Sequence, residues 1–572
     1  MTVTADSLPT PAELAHATWE DVSRRYQALL DQALDRENVE SWLAAWSGLD
    51  AALMEAAGLA MIAYTCDTAD PAKEAAHLRF ASEILPRVEE LGVRLADRLL
   101  ALDYAPPALE QMVLRFRTHS EIFRQANVPL FMESEQLDTR YQKVTGGLTV
   151  TWDGVEKTIP ELQRYLQSPD RATRERAFRA ASMAYLAHKD ELSGIFDRLL
   201  ALRQEIARNA GFADFEAYAF RAKCRFDYTP ADCARFHEAV ERHVTPAVER
   251  LHRRRRERMR LDSVRPWDLG ADPQGRPGLA PFTDVEELIA RTRTMFRQVS
   301  PALGQEYDTM VGERLLDLGT RKGKAPGGYC ETLPHRGRPF IFMNAAGVAD
   351  DVSTLLHEAG HAFHAFSAHA QALVWQRQPG LEACELASMS MELLAAPFLG
   401  RDAGGFYDPE ELARARTEHL EDILLTLQHV ASVDAFQSWI YTSGQGADPR
   451  ARDRAWLGLR ERFERGVDWN GLEKERVIRW YRQPHIFLSP FYYIEYGIAQ
   501  LGALQVWRNS MKDRTDAVAR YRAALALGAT RPLPEIFAAA GARFSFEPEL
   551  MGELVGLVEE ELGRWEEVSA AA

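Results

Sequence analysis

One stretch limits what this chain can be more than any other. Between Asp350 and Ala365 the sequence reads DDVSTLLHEAGHAFHA, with His357, Glu358 and His361 in the pattern H-E-x-x-H. An α-helix repeats every ~3.6 residues, so positions four apart stand one above the other on one face. On a helix, His357 and His361 can offer two imidazole nitrogens to one Zn2+. Glu358, one step round, then sits beside the ion, where a general base for an activated water belongs. The flanks suit a helix: Val352, Leu355, Leu356, Ala359, Ala362 and Phe363 are apolar, and Asp350, Asp351 and Ser353 fit its first turn. Patterns of this length also occur in helices that hold no metal, so the neighbourhood decides. Gly360 allows another backbone or a substrate to come close. A second helical stretch, GLEACELASMSMELL from Gly380 to Leu394, brings Glu382, Glu385 and Glu392 to roughly one face. One of the three can complete a two-His, one-Glu site with a fourth position open.

Composition narrows the class. The 572 residues carry a formal charge of −16, which argues against a general nucleic-acid or anionic-membrane binder. The length suits roughly three or four domains. The five cysteines (Cys66, Cys224, Cys233, Cys330, Cys384) are scattered and lack C-x-x-C spacing, so neither a disulfide framework nor a cysteine metal site is expected. The opening MTVTADSLPTPAEL has neither a basic region nor the apolar core of a signal peptide. No apolar run approaching the ~20 residues of a membrane span is expected either. These features predict a cytoplasmic protein with no nucleic-acid or membrane partner; monomer and homodimer are both compatible with them.

Along the chain the texture is mainly α. Residues from about Trp19 to Leu102, and again from Ala108 to Ala126, read as packed antiparallel helices. Pro129 to Gly147 is less regular. LTVTWDGVEKTI, Leu148 to Ile159, predicts a β-hairpin turning at Asp153-Gly154. Two long helices are expected over Arg174 to Asn209 and Pro230 to Leu261. The second holds HRRRRERMR, His252 to Arg260, read as a solvated helix face beside Glu249 and Glu257. After a Pro/Gly-rich loop and a helix over Thr283 to Val299 comes Gly327 to Gly347, in which Phe340 to Met343 suits a short strand. Nearly everything beyond Leu394 reads as helix. The division expected from this is an N-terminal helical lobe over 1–190, with the hairpin near 148–159, and a catalytic region over 191–572.

A second constellation stands near the C-terminal end. PHIFLSPFYYIEYGIAQLGALQ, Pro484 to Gln505, holds His485, Tyr492, Tyr493 and Tyr496. Tyr493 and Tyr496 are three apart, hence neighbours on one helix face, with Glu495 elsewhere. Phenol and imidazole donors could stabilise an oxyanion, and buried core aromatics with satisfied hydroxyls fit the same residues.

HEAGHAFH, the later ELAS, the preceding GRPFIFMN and the closing HIFLSPFYYIEY together resemble the oligoendopeptidase F branch of the thimet oligopeptidase family of zinc metallopeptidases, over roughly Gly146 to Leu557. The resemblance implies a two-lobed, mostly helical body with a small sheet beside the metal helix and a deep cleft for short unfolded peptides. It implies one Zn2+ per chain on His357, His361 and Glu385, with Glu358 as general base and Glu382 orienting a ligating histidine. Tyr493 and Tyr496, with His485 ahead of them, take the place of the residues that stabilise the oxyanion. Departures are Ala387-Ser388, where the thimet branch has proline before serine, Glu382 where aspartate is frequent, and a one-residue gap needed to align His485. A metzincin site would need glycine at 364 and histidine at 367, but the chain has His364 and Ser367. The expected function is hydrolysis of internal bonds in short peptides, with Phe340 to Met343 as the sheet edge that an extended peptide joins. A zinc carboxypeptidase-like exopeptidase and an inactive peptide-binding scaffold are the alternatives.

Overall fold

The computed structural model describes residues 8–571, so Met1 to Ser7, half of the segment read as lacking a signal sequence, lie outside it. The elements that matter for the site are, in chain order, α1 (Val39–Cys66), β1 (Thr149–Trp152), β2 (Val155–Thr158), α2 (Arg171–Ala187), β3 (Leu316–Gly319), β4 (Tyr329–Leu333), β5 (Arg338–Ala345), α3 (Ala349–Ala368), α4 (Leu381–Ala395), α5 (Pro409–Thr442), α6 (Glu473–Tyr481) and α7 (Ile494–Lys512). The remaining elements are almost all helices, as the sequence predicts.

Two compact units share the chain. The first takes residues up to Phe123, Ala280–Leu412 and Ala499–Phe544; the second takes Arg124–Leu279, Ala413–Ile498 and Ser545 onward. This division does not coincide with the expected cut near residue 190. Each unit is assembled from three separate stretches, which a reading in chain order has no means of joining.

In the first unit, α1 is the central core helix. Trp42, Leu43, Trp46, Leu49 and Leu53 on it are buried. Trp46 packs on Phe116 and Trp375 at ring separations of 5.0 and 4.5 Å. By length and composition α1 is apolar enough to cross a membrane, with a mean hydropathy of 1.3, contrary to the expectation that no such run exists. Its many alanines, with its leucines and methionines, raise that value without adding charge.

The same unit carries the sheet, in the order β3-β5-β4. β3 runs parallel to β5, with Leu316 opposite Ile341, and β4 runs antiparallel, with Cys330 opposite Ile341 and Tyr329 opposite Phe342. Phe340 to Met343 therefore lies in the central strand and has both edges paired. The expected edge is corrected: the outer strands are β3 and β4, and a peptide cannot add to β5.

In the second unit the hairpin forms as predicted, with Trp152 opposite Val155 and positive φ at Asp153 (51°) and Gly154 (81°). The stretch read as irregular is a helix, Val128–Gly146. Only Tyr141 in it is buried, so it has no apolar stripe for periodicity to reveal. The two long helices are interrupted: Arg174 to Asn209 breaks at His188, and Pro230 to Leu261 contains a π-turn over Val240–Val244.

Candidate metal centre and a tyrosine cluster

α3 starts where the chain leaves β5. The Asp351 carboxylate accepts the N–H groups of Ala346, Gly347 and Val348 at 2.8, 2.8 and 2.9 Å. One side chain thus satisfies the backbone of the turn and places negative charge at the helix N-terminus. Two turns on, α3 crosses α4 at very short range. A Cβ built on Gly360 would lie 2.5 Å from Ser388 Cα and 2.7 Å from the Ala387 carbonyl oxygen. Only glycine permits this crossing, as the sequence suggested.

The crossing assembles the candidate metal-ligating set. The ligand atoms of His357, His361 and Glu385 all lie within 4.8 Å of one another. Glu385 Oε2 is 3.4 Å from His357 Nε2 and 3.8 Å from His361 Nε2. Two imidazoles and one carboxylate converging on one point fit a zinc ion with an open fourth position. Ser388 Oγ donates to Glu385 Oε2 at 3.1 Å and fixes that carboxylate from one turn along the helix.

The carboxylate that meets the far nitrogen of His357 is Glu392, at 2.7 Å from Nδ1. The orienting role expected of Glu382 thus falls, for His357, to Glu392. Such a contact selects the tautomer that leaves Nε2 free to ligate. Burial pulls the His357 imidazole down, but its hydrogen bonds with Glu385 and Glu392 outweigh this and leave it well above its ordinary range. Glu358 is buried beside the trio, and desolvation pushes its carboxyl up to about 7. His361 is pushed down to about 4 by burial, and so is His364, to about 3. His364 is a buried side chain outside the ligand set.

The C-terminal constellation gathers in the second unit. His485 lies 5.5, 4.9 and 6.0 Å, ring to ring, from Tyr492, Tyr493 and Tyr496, and Tyr493 is 5.5 Å from Tyr496. Tyr493 is not helical; it closes the turn just ahead of α7. Gln483 ties the cluster together: its side chain meets His485 Nδ1 at 3.0 Å and His429 Nε2 at 2.9 Å. Burial raises the Tyr493 phenol, and Gln483 partly offsets this by hydrogen bonding to it.

The turn itself is strained. Phe491 has φ of 63°, a conformation that costs a bulky residue on the order of 1–3 kcal/mol. It is fully buried, donates its N–H to Gln437 Oε1 at 2.8 Å, and has its carbonyl held by Arg225. Arg225 in turn pairs with Glu495 at 2.8 Å, both side chains buried. Arg225, Gln437, Gln483 and His429 escaped the sequence reading because none stands in a motif with the residues it supports. Glu495 was visible only as the residue between two tyrosines.

Comparison with known proteins places this geometry. A family model described as Peptidase family M3 matches residues 164–554, and one described as Peptidase M3 N-terminal domain matches residues 11–121. Oligopeptidase PepF of Bacillus subtilis (strain 168) is 23% identical over 429 residues, 73% of this chain and 61% of its own. An oligoendopeptidase F homolog of Borreliella burgdorferi is 23% identical over 239 residues, 40% of this chain and 39% of its own. The chain thus spans less than two thirds of the length of these relatives. Among solved structures, PZ peptidase A with inhibitor 2 superposes with a TM-score of 0.88 at 29% identity, over 96% of this chain and 98% of its own.

Proposed function

The chain belongs to Peptidase family M3, and from that premise we propose that it is a zinc-dependent oligoendopeptidase that hydrolyses internal bonds of short unfolded peptides. The observation that carries the reading is the convergence of His357, His361 and Glu385 across the Gly360 crossing, with the Glu358 carboxyl beside them. These three residues would hold one ion per chain. Zinc, when bound, supplies Lewis acidity to a carbonyl oxygen and to a water molecule.

The chain's own residues do the rest. Glu358 takes the water's proton as the carbonyl carbon is attacked and delivers it to the departing amine nitrogen. Tyr493, Tyr496 and His485 supply phenol and imidazole donors to the oxygen that becomes negative, each donor contributing ~2.7–4 kcal/mol in such sites. Glu392 holds the His357 ring in place. An extended peptide that joins the sheet does so along β4, where backbone hydrogen bonds tolerate many sequences. Four of the five cysteines are only partly buried and all five are free, which suits a reducing compartment, and we assign the activity to the cytoplasm.

The test uses zinc-loaded protein and a length series of unstructured peptides blocked at both ends, read by mass spectrometry. Internal cuts in the shorter peptides, absent with Glu358→Gln while zinc stays bound, are expected. Cutting only when a terminus is unblocked would move the protein to the exopeptidases. Turnover retained by Glu358→Gln would remove that residue as the base.

A further inference from the structure

β4 is an outer strand of the sheet in the first unit, paired only on its β5 side. Among the described residues, no backbone-to-backbone hydrogen bond beyond that pairing involves Tyr329 to Leu333. Such an edge presents a row of N–H and C=O groups to an incoming strand. Side chains alternate along it, so its two faces carry different chemistry. Cys330 is on the face towards α3: burial pushes its thiol well up, and the nearby Glu358 carboxylate adds to the effect. Tyr329 and Glu331 are on the other face, towards α1. The Tyr329 hydroxyl meets that of Thr65 at 2.6 Å. A Cβ built on Gly58 would lie 2.9 Å from Glu331 Oε1 and 3.4 Å from its Cγ. The missing side chain at Gly58 makes room for this carboxylate against α1.

Glu331 has no counter-charge. Among the described residues its carboxylate takes part in no ion pair and no hydrogen bond. The neighbouring basic side chains are committed elsewhere: Arg336 to Glu55 at 2.8 Å, Arg338 to Glu313 at 2.9 Å and Lys324 to Asp317 at 2.9 Å. Glu55, one turn before Gly58 on α1, shows what a structural carboxylate looks like here, since it also accepts the Arg336 N–H at 2.9 Å. Glu331 is half-buried without any such partner, and burial alone pushes its carboxyl up to about 7. A cation that reaches it restores the ionised form and gains an ion pair. Residues directly opposite in a sheet share a face, with Cβ atoms about 4.5–5.5 Å apart. In a strand added along β4, the residue paired with Glu331 therefore lies over the same face as this carboxylate. Its two neighbours point the other way, towards α3, which carries Glu358.

We propose that Glu331 is a specificity-determining residue, whose carboxylate takes the cationic nitrogen of a peptide strand added along β4 at the residue paired with it. The nitrogen belongs to a lysine or arginine side chain or to a free N-terminus. The proposal deepens the endopeptidase reading and rests on it for the identity of the added strand. Backbone hydrogen bonds along β4 accept many sequences, and Glu331 superimposes on that tolerance a preference for positive charge at one position.

The experiment uses zinc-loaded enzyme and unstructured peptides blocked at both ends, in which one position at a time carries lysine, arginine, glutamine or glutamate. A parallel set leaves the N-terminus free. Values of kcat/KM are read from the products by mass spectrometry. At one position relative to the cut bond, lysine and arginine are expected to exceed glutamine about tenfold, the scale of one hydrogen bond to a charged group, and glutamate to fall below it. Glu331→Gln should erase the lysine-to-glutamine ratio, Glu331→Asp should keep part of it, and Glu331→Lys should invert the preference in favour of glutamate. Each ratio is taken within one variant, so a general loss of activity does not imitate the result. A Glu331-dependent preference confined to free N-termini supports the site and assigns the cation to the terminal amine. Equal rates for all four residues at every position, with blocked and free termini alike, overturn the proposal even if every peptide is cut. A basic preference that survives Glu331→Gln overturns it too. Calorimetric affinities for the Glu358→Gln enzyme separate the two readings. Lysine peptides that bind more tightly through Glu331 but are never cut by the parent enzyme leave the preference standing and sink the endopeptidase reading.

Discussion

Gly360→Ala is the substitution that most directly tests how the metal-ligating set is built. An ordinary contact begins near 3.4 Å, and the added Cβ would sit 2.5 Å from Ser388 Cα, so α3 and α4 must part by about 0.9 Å. Nothing flexible can absorb this. The nearest atoms are all backbone: Ser388 Cα, the Ala387 oxygen at 2.7 Å and the Ser388 nitrogen at 2.9 Å. The Ala387 carbonyl is also held from elsewhere by Tyr521, whose buried hydroxyl donates to it at 2.9 Å. Overpacking of this kind costs about 1–3 kcal/mol, and the better helix propensity of alanine returns about 1 kcal/mol at most. The larger effect falls on the metal. His361 follows Gly360 directly and Glu385 is one turn before Ser388, so parting the helices opens the trio, whereas zinc sites tolerate deviations of roughly 0.2 Å. Zinc affinity, measured by competition with a chelator, should fall by more than an order of magnitude, and urea unfolding of the metal-free protein should shift by the smaller overpacking cost. Gly194→Ala is the matched control: it lies in the helix Lys189–Asn209 with no atom within 4 Å of the new Cβ, and should be neutral or stabilising by up to about 1 kcal/mol. If Gly360→Ala behaves like Gly194→Ala in both measurements, the argument from close crossing is wrong.

Three other perturbations follow from the same packing. Glu392→Gln should weaken zinc about 10–100-fold while leaving unfolding nearly unchanged; if Glu382→Gln has the larger effect, the contact with His357 is not the one that matters. Arg225→Met strands a buried Glu495 and frees the Phe491 carbonyl, so unfolding should come about 3–5 kcal/mol earlier, and adding Glu495→Met should recover part of the loss; an additive double variant would argue against the pair. Asp50 accepts hydrogen bonds from Tyr26 and Trp375 at 2.6 and 3.0 Å, and burial still raises its carboxyl to about 6. Folding therefore favours its neutral form. Its contribution is complete below about pH 4 and is lost as the pH rises through 6, so Asp50→Asn should gain on the parent across that window by up to about 3 kcal/mol. A gap between the two that stays constant from pH 4 to 7 in urea unfolding would refute it.

The pairing of His357 and His361 could be read in advance because its geometry is local. Two histidines four apart are neighbours on any helix, whatever packs around it. Spacing alone left the third candidate ligand as a set of three, since Glu382, Glu385 and Glu392 share a face, and only the family resemblance singled out Glu385; the crossing at Gly360 is what brings Glu385 to the histidines and Glu392 to the back of His357. Sheet order was out of reach for a similar reason. β5 reads as a strand from its own residues, but its central place depends on β3 and β4, two short strands before it whose residues are mostly half-exposed and show no clear alternation. The helix Val128–Gly146 failed in the opposite way: it has a helix's backbone and almost no buried face, so the 3.6-residue signal is missing.

In the tyrosine segment the residues read together do lie together, but through a different local geometry. Reading Tyr493 and Tyr496 as one helix face brings them together for the wrong reason, because Tyr493 precedes α7. What actually holds the rings 5.5 Å apart is the left-handed Phe491, which ends one direction of chain and begins another. A phenylalanine adopts that conformation only when its surroundings leave no alternative. Here the surroundings are a buried ring, the Gln437 amide oxygen on its N–H, and Arg225 on its carbonyl, with Arg225 itself fixed by Glu495. Glu495 is thus not a bystander between the two tyrosines but the charge that anchors the turn presenting them. The geometry of the tyrosine cluster therefore depends on an arginine some 270 residues upstream of Glu495.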